Sequence, residues 1–243
     1  MKTLFLVIII VAYSFVYGSE EIPINHSNNP HCIYFAPEAF YFDLNTHVKE
    51  VKVNGKKMFF GFRLGYEYLK PRAFYGSIEI FSAGANKGFN GTYKKRSCKY
   101  SGITGFGNLE LHLGYNFFPN NTFVVPYIGL GAYSIGLNKN RGFQENLAYF
   151  LFGIYTEYPI TSRFSFGTNL KGFQASDTSK RFKSKTLNFK ECENTWGGEI
   201  RALLIWKIFN NGSSIQLQPY FLKLNLSETQ NIYGTRLSLN FQF

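Results

Sequence analysis

Large apolar residues occupy every second position over much of the chain. In the last segment, 233–243, tyrosine, threonine, leucine and phenylalanine alternate with glycine, arginine, serine, asparagine and glutamine. Successive side chains of a β-strand point to opposite faces of its sheet, so this period predicts strands with one apolar and one polar face. Ten segments show it, and none has a convincing helical period. They lie at or near 33–43, 58–68, 73–83, 108–117, 123–136, 150–158, 164–173, 196–208, 214–224 and 232–243.

The length of these segments and the spacing between them predict a membrane barrel. Most are 10–14 residues long, whereas strands of globular proteins average about 5–6 residues and a tilted strand needs roughly 9–11 to cross a bilayer. Short turns alternate with longer polar stretches, as they do between the periplasmic turns and outer loops of an up-and-down barrel. The long stretches, which we expect to be outer loops, are 44–56, 84–104, 137–146 and 174–194, with a shorter one at 226–230.

The predicted fold is therefore all-β, an up-and-down antiparallel transmembrane β-barrel formed by 33–243. We expect ten strands, or eight if a weak segment such as 33–43 lies outside the barrel. Because unpaired backbone groups are unfavourable in hydrocarbon, the first and last strands must pair with each other. Pro37, Pro126 and Pro219 lie inside predicted strands, and we expect them at bulges or near strand ends, since proline removes a donor from the ladder.

The first eighteen residues differ from the rest. Lys2 precedes an apolar run at 4–16, and Val16, Tyr17 and Gly18 come directly before Ser19. This order predicts a cleaved secretory signal at 1–18, with an uncleaved anchor as the alternative. Residues 19–32 would then form a short periplasmic segment. Only 1–18 has the apolar length of a helical membrane span, which excludes a polytopic helical transporter.

The signal, the alternating strands and the terminal strand that ends in Phe243 resemble the small outer-membrane β-barrel proteins of Gram-negative bacteria, which include porin-like and adhesin-like members. The resemblance implies a location in the outer membrane, among its lipids and lipopolysaccharide. It also implies that Phe243 serves as the signal recognised by the barrel assembly machinery. Adhesins, narrow pores and lipid-modifying enzymes all occur among such barrels, so it does not choose an activity.

If the apolar face contacts lipid, the polar face lines the lumen. Barrels of about eight to ten strands are largely filled by side chains, and charges there need partners, so we expect an ion-paired plug. A narrow channel is the alternative. His112 lies near Glu110, but no motif supplies a nucleophile, and the histidines and cysteines lack zinc spacing; we expect no catalytic residue, metal or cofactor. Glu38 and Lys207 also lie on the inward face. The predicted lumen network comprises Arg63, Glu67, Glu79, Glu110, His112, Glu157, Lys171, Glu199, Arg201 and Arg236.

Basic residues concentrate in the predicted outer loops of this chain, whose net charge is +11. A cationic rim attracts anions, so we expect a structural or adhesive surface protein that binds lipopolysaccharide phosphates, anionic host glycans or acidic proteins. A solvated charge belt without a partner is the alternative. Nucleic acid is not expected, because an exported chain seldom meets it. The residues predicted to contact ligands are Lys94, Lys95, Arg96, Lys99, Lys183 and Lys185.

Three cysteines, Cys32, Cys98 and Cys192, allow three single disulfide pairings. Cys98 and Cys192 both fall in predicted outer loops, and an exported compartment permits a bridge between them. Cys32 would then stay unpaired. The sequence does not choose among the pairings.

Overall fold

A computed structural model describes residues 30–48, 51–85, 90–93, 96–99, 104–137, 142–183, 188–209, 212–225 and 229–243. The predicted signal 1–18 lies outside them, as do Lys94, Lys95 and Lys185. No helix in these residues is long and apolar enough to cross a membrane. The strands are β1 (His31–Val48), β2 (Val51–Tyr68), β3 (Phe74–Ala85), β4 (Asn90–Tyr93), β5 (Arg96–Lys99), β6 (Thr104–Tyr115), β7 (Phe123–Leu137), β8 (Gly142–Pro159), β9 (Phe164–Lys183), β10 (Asn188–Lys207), β11 (Ser214–Asn225) and β12 (Thr229–Gln242).

Ten of the strands form a closed antiparallel barrel in which neighbours along the chain are neighbours in the sheet. β1 pairs with β2 on one side and with β12 on the other, which closes the cylinder. The small hairpin of β4 and β5 extends beyond the barrel, where β4 pairs with the outer end of β2. The predicted closure and the count of ten are confirmed, and the alternative of eight is wrong because 33–43 lies inside β1.

The connections at the two ends of the barrel differ from the prediction on one side only. The short turns 69–73, 116–122, 160–163 and 208–213 lie at one end, as expected. At the outer end, most of 44–56 and 174–194 is strand, because β1 pairs with β2 as far as Val48 and Val51, and β9 with β10 as far as Lys183 and Asn188. The expectation of long loops is wrong there. The β-branched residues Thr46, Val48, Val51 and Val53 favour continued strand pairing at the end of the β1–β2 hairpin.

The outside of the barrel is a continuous apolar surface. Phe74 is 78% exposed, Leu113 69% and Trp206 65%, and the exposed apolar residues occur on every barrel strand except β9. A soluble protein rarely exposes so large an apolar patch, whereas a closed barrel in lipid requires one. The predicted alternation of lipid-facing residues is confirmed.

The three prolines lie where one ladder of hydrogen bonds is absent. Pro37 pairs with β2 but not with β12, and Pro219 pairs with β12 but not with β10. Pro126 comes just past the last pair of β6 with β7, Gly114 with Tyr127. The prediction of a position near a strand end is therefore correct for Pro126. Pro37 and Pro219 are instead in strand interiors, at gaps without a change of register.

Much of the outer half of the lumen is apolar, which differs from the polar interior predicted. Phe40, Phe42, Phe59, Phe81 and Phe106 are all buried there, and we call them the phenylalanine cluster. Their ring centroids lie between 5.0 and 6.4 Å apart. Edge and offset contacts at such distances are favourable for aromatic rings. The cluster occupies much of the lumen above the charged residues that follow.

Candidate functional site in the barrel lumen

Four acids and four bases cross the lumen below the phenylalanine cluster. We call them the charge layer; each is less than 9% exposed. They are Glu38, Glu79, Glu110, Glu199, Arg63, Lys171, Arg201 and Arg236. Because the acids and bases are equal in number, the layer has no formal net charge.

Two arginines join the first pair of carboxylates. Arg63 Nε donates to Glu38 Oε2 at 3.3 Å, and Arg63 Nη1 lies 3.0 Å from Glu79 Oε1. Arg236 Nε donates to Glu38 Oε2 at 3.1 Å, and Arg236 Nη1 lies 3.9 Å from Glu79 Oε2. Both carboxylates therefore contact both guanidinium groups.

Lys171 joins the other two carboxylates. Its Nζ donates to both oxygens of Glu110 at 2.9 Å and lies 3.1 Å from Glu199 Oε2. Arg201 also contacts Glu199. Buried charges are tolerated only when they are paired in this way, and Glu79 and Glu110, which lie opposite each other in β3 and β6, would repel without these cations.

Tyrosines complete the hydrogen bonding of the carboxylates, and each lies over a glycine of the neighbouring strand. Tyr34 donates to Glu79 Oε2 at 2.6 Å and Tyr220 to Glu38 Oε1 at 2.5 Å. A Cβ at Gly65 would overlap the ring of Tyr34, and one at Gly234 would overlap that of Tyr220. Glycine at these two positions lets each ring lie flat on the wall of the barrel.

Tyr149 repeats this arrangement on another part of the wall. Its hydroxyl donates to Glu110 Oε1 at 2.6 Å, and its ring occupies the space of a Cβ at Gly131. The carboxylate of Glu110 thus accepts hydrogen bonds from a tyrosine as well as from Lys171.

His112 lies at the edge of the charge layer that is nearer the short turns. Its Nε2 is 3.0 Å from Glu110 Oε2, and its Nδ1 is 2.8 Å from Ser77 Oγ. Ser77 was not among the predicted site residues. It lies directly opposite His112 in the register of β3 and β6, and a register between strands cannot be obtained from one sequence with the accuracy that this contact requires.

Two small cavities remain, one on each side of the charge layer. The cavity nearer the short turns measures about 60 Å³ and is lined by Ser77, His112 and Tyr155 among others. The other measures about 50 Å³, and its lining includes three residues of the phenylalanine cluster, three tyrosines and six residues of the charge layer. Lys171 and Arg236 line both cavities, so within the described residues the charge layer separates them.

Besides His112, three residues predicted to face the lumen lie outside the charge layer. Glu157 is buried and accepts a hydrogen bond from Tyr155 at 2.7 Å. Glu67 is partly buried and lines the cavity nearer the short turns. Lys207, at the end of β10, is also partly buried.

Sequence reasoning missed a second polar group near the outer end. Glu145 is fully buried and accepts hydrogen bonds from Tyr133 at 2.9 Å and Gln230 at 3.4 Å. The alternation in β7 places Tyr133 on the buried face. This position of Tyr133 is the sequence signal that could have indicated a buried polar partner. Glu145 itself lies in 137–146, which the sequence predicts to be an outer loop.

The predicted ligand contacts at the rim are only partly described. Arg96 and Lys99 lie in β5 and Lys183 ends β9, but their side chains are outside the described part, as are Lys94, Lys95 and Lys185 altogether. Their role as ligand contacts stays a prediction.

The cysteines and the terminal residue lie in separate places. Cys98 is in β5 and Cys192 in β10; their side chains are outside the described part, so the disulfide stays a prediction. Cys32 is a buried free thiol. Phe243 extends the ladder at the chain end, where its N–H donates to the carbonyl oxygen of His31 at 3.1 Å.

The described residues include one group of side chains with metal-ligand chemistry, formed by Glu79, Glu110 and His112. Their ligand atoms all lie within 4.8 Å of one another. Arg63 and Lys171 already neutralise the two carboxylates, so a divalent cation would add uncompensated positive charge. These residues do not fit a metal ion.

No protein-family model matches the chain, and no curated protein sequence matches it. Solved structures match its fold. The outer-membrane protease OmpT of Escherichia coli is 7% identical, with a TM-score of 0.58 over 90% of this chain and 98% of its own. The translocator domain of the autotransporter NalP from Neisseria meningitidis is 9% identical, with a TM-score of 0.51 over 100% of this chain and 98% of its own. This chain has the fold of the Gram-negative outer-membrane β-barrels.

The outer-membrane barrel fold confirms the class that the alternating segments predicted. Together with the apolar outer surface, it agrees with the predicted location in the outer membrane of a Gram-negative bacterium. At such low identity the likeness concerns the fold alone. One of the two similar barrels is a protease and the other a translocator domain, so the fold does not decide what this barrel does.

Proposed function

We propose that the protein is a plugged outer-membrane barrel with a structural or adhesive role at the cell surface, where the basic outer ends of its strands bind anionic ligands. The observation that carries the proposal is the separation of charge between a neutral charge layer in the lumen and sequence segments rich in lysine and arginine at the outer strand ends and their connections. Lipopolysaccharide phosphates, host glycans and acidic proteins have the chemistry that such a surface would attract.

The excess positive charge of the chain is concentrated at the outer end. The outer strand ends and connections contain sixteen lysines and arginines against seven aspartates and glutamates, an excess of nine out of a net charge of +11. A dense cationic field raises the local concentration of anions and is screened over about 10 Å at 0.1 M salt. These outer segments are 43–57, 86–104, 137–146, 176–195 and 225–230.

Many of these bases belong to paired strands. Arg181 in β9 lies opposite Lys190 in β10, and Lys180 lies opposite Glu191. Like charges at opposed positions are unfavourable unless an anion lies between them. An ordered strand also loses less conformational entropy on binding than a loop does. The hairpin of β9 and β10 is therefore a better platform for a polyanion than the loop predicted from the sequence.

The closed lumen supports a surface role over transport. The phenylalanine cluster occupies much of its outer half, and the charge layer separates the cavity beside the cluster from the cavity nearer the short turns. A solute would have to break several buried ion pairs in order to pass.

Binding of heparin to the refolded protein tests the proposal. A variant in which Lys94, Lys95, Arg96, Lys183 and Lys185 are glutamine should bind at least about fivefold more weakly at low salt, because each exposed ion pair contributes a small favourable amount. Its affinity should also depend less on salt concentration.

A matched control neutralises three exposed bases at the opposite end of the barrel, Lys70, Arg72 and Arg163. This control should bind heparin as the unmodified protein does. Equal binding by both variants at low salt would show that the outer bases are not the ligand site. Retention of heat-modifiable gel mobility shows that either variant still folds.

A further inference from the structure

Ser77, His112 and Glu110 form a continuous hydrogen-bonded series below the charge layer. The hydroxyl oxygen of Ser77 is 2.8 Å from one ring nitrogen of His112, and the other ring nitrogen is 3.0 Å from a carboxylate oxygen of Glu110. Hydroxyl, imidazole and carboxylate in this order are the arrangement that activates a serine as a nucleophile. The contacts come from adjacent barrel strands, β3 and β6, which hold them rigidly.

Packing fixes the plane of the imidazole. The ring of Tyr127 lies over it with centroids 4.9 Å apart. On the neighbouring strand β7, Gly129 lies opposite His112, and a Cβ there would come within 3.1 Å of the imidazole Cδ2. The ring therefore has one position, in which both of its nitrogens meet a partner.

The hydrogen bonds also fix the direction of the protons. Lys171 contacts both oxygens of Glu110, so this side chain is a carboxylate and can only accept. Nε2 of neutral His112 therefore carries the proton, and Nδ1 accepts from Ser77. Tyr75 donates to Ser77 Oγ at 3.1 Å, which leaves the hydroxyl proton of Ser77 directed at Nδ1.

A cavity with an unsatisfied donor adjoins the serine. Ser77, His112 and Arg201 all line the 60 Å³ cavity. Arg201 is 7% exposed, and its Nε is a buried nitrogen with no hydrogen-bond partner among the described residues. A buried donor without a partner is rare in proteins.

We propose that Ser77 and His112 are the catalytic residues of a hydrolase for small carboxylic esters, with Glu110 as the positioning residue. Ser77 Oγ attacks the ester carbonyl carbon as its proton passes to His112 Nδ1, and negative charge develops on the carbonyl oxygen. The carbon–oxygen bond to the alcohol then breaks, and the proton on Nδ1 leaves with the alcohol. Water then attacks the acyl carbon as its proton passes to Nδ1. The acyl–oxygen bond to Ser77 breaks with release of the free acid, and the proton on Nδ1 returns to Ser77 Oγ.

The dimensions of the cavity limit the substrate. The cavity has about 60 Å³, and one water molecule needs roughly 10–15 Å³ measured in this way, so the cavity has room for a small carboxylic ester. Ser77 is three residues from the start of β3 at Phe74, and the charge layer closes the lumen on the other side. The substrate must therefore enter from the end with the short turns, which is the periplasmic end.

Covalent labelling of the refolded full chain tests the proposal directly. Methanesulfonyl fluoride is small enough for the cavity, and its sulfonyl group should attach to Ser77 Oγ with release of fluoride. Mass spectrometry of peptides locates the adduct. Hydrolysis of p-nitrophenyl acetate by the same sample measures turnover.

The variants separate catalysis from folding. Ser77→Ala should abolish the adduct, and His112→Gln should lower the rate of hydrolysis about 100-fold or more, as expected when a general base is lost. Ser238→Ala is the matched control, because Ser238 lines the same cavity but donates to Asn240 instead of a histidine. It should react as the unmodified protein does.

Either of two results would overturn the proposal. One is folded protein that gives no adduct at Ser77, which needs no variant to be interpretable. The other is a rate of ester hydrolysis that Ser77→Ala leaves unchanged. Neither result affects the proposed binding of anions at the outer end.

Discussion

Replacement of Arg236 by glutamine should destabilise the barrel strongly, because Arg236 is the most buried cation of the charge layer. It is 2% exposed and contacts Glu38, Glu79 and the side-chain oxygen of Gln218. Loss of one partner from a buried ion pair costs about 3–5 kcal/mol. Arg63 also contacts both carboxylates, so we expect the lower end of this range, about 3 kcal/mol.

Urea unfolding of the protein in phospholipid vesicles measures this change. Trp196 and Trp206 report the transition, because both lie on the apolar outer surface and are 63% and 65% exposed there. Their emission should shift when they leave the lipid. The control variant Lys70→Gln changes an exposed base in a turn, and its free energy of unfolding should stay within about 0.5 kcal/mol of the unmodified protein.

A double variant identifies electrostatic pairing as the cause. Glu38→Gln alone removes an acid, and Arg236→Gln alone removes a base, but together they leave the charge layer neutral. The combined loss should therefore be smaller than the sum of the two single losses, by about 0.5–3 kcal/mol. The idea that ion pairing stabilises the charge layer would be refuted if the two losses in free energy of unfolding simply added in the double variant. It would also be refuted if the Arg236→Gln variant were as stable as the unmodified protein.

Two further predictions concern the plug and the wall. In planar bilayers the protein should carry little steady current. The double variant Phe40→Ala with Phe106→Ala should carry as little, since the charge layer still closes the lumen. A stable open channel in the unmodified protein would contradict a plugged lumen. Gly234→Val should destabilise the barrel by about 1–3 kcal/mol, because the new side chain displaces the ring of Tyr220. Chemical denaturation checks this, and Tyr220→Ala in the same chain should recover part of the loss if the clash is its cause.

The sequence was sufficient to predict the barrel because its signal is local. In β12, Leu237, Leu239 and Phe241 each lie two residues apart, and each is exposed on the outside as the period of two requires. The same period placed Arg63 and Glu110 on the buried face. This alternation alone predicts which residues of each strand face lipid and which face the lumen.

Contacts between strands were not predictable in the same way. Ser77 and His112 meet because β3 and β6 pair in one register, and a slip of one residue would turn one of the two side chains outward. Tyr34 over Gly65 depends on register as well, although both residues are conspicuous in the sequence. The apolar outer lumen was not predicted because Phe40 and Phe81 are as hydrophobic as the residues that face lipid. Only their position in the two-residue alternation of each strand distinguishes lumen-facing from lipid-facing phenylalanines.

The two charged regions of the barrel differ because their surroundings differ. In the lumen, water is nearly excluded and an unpaired charge is strongly unfavourable, so the four acids of the charge layer are matched by four bases. At the outer end, water and salt screen each charge, and an excess of nine positive charges is tolerated. Residues such as Lys183 can therefore be replaced singly with little effect on folding. A residue such as Glu38 can change safely only when a cation that it contacts changes with it.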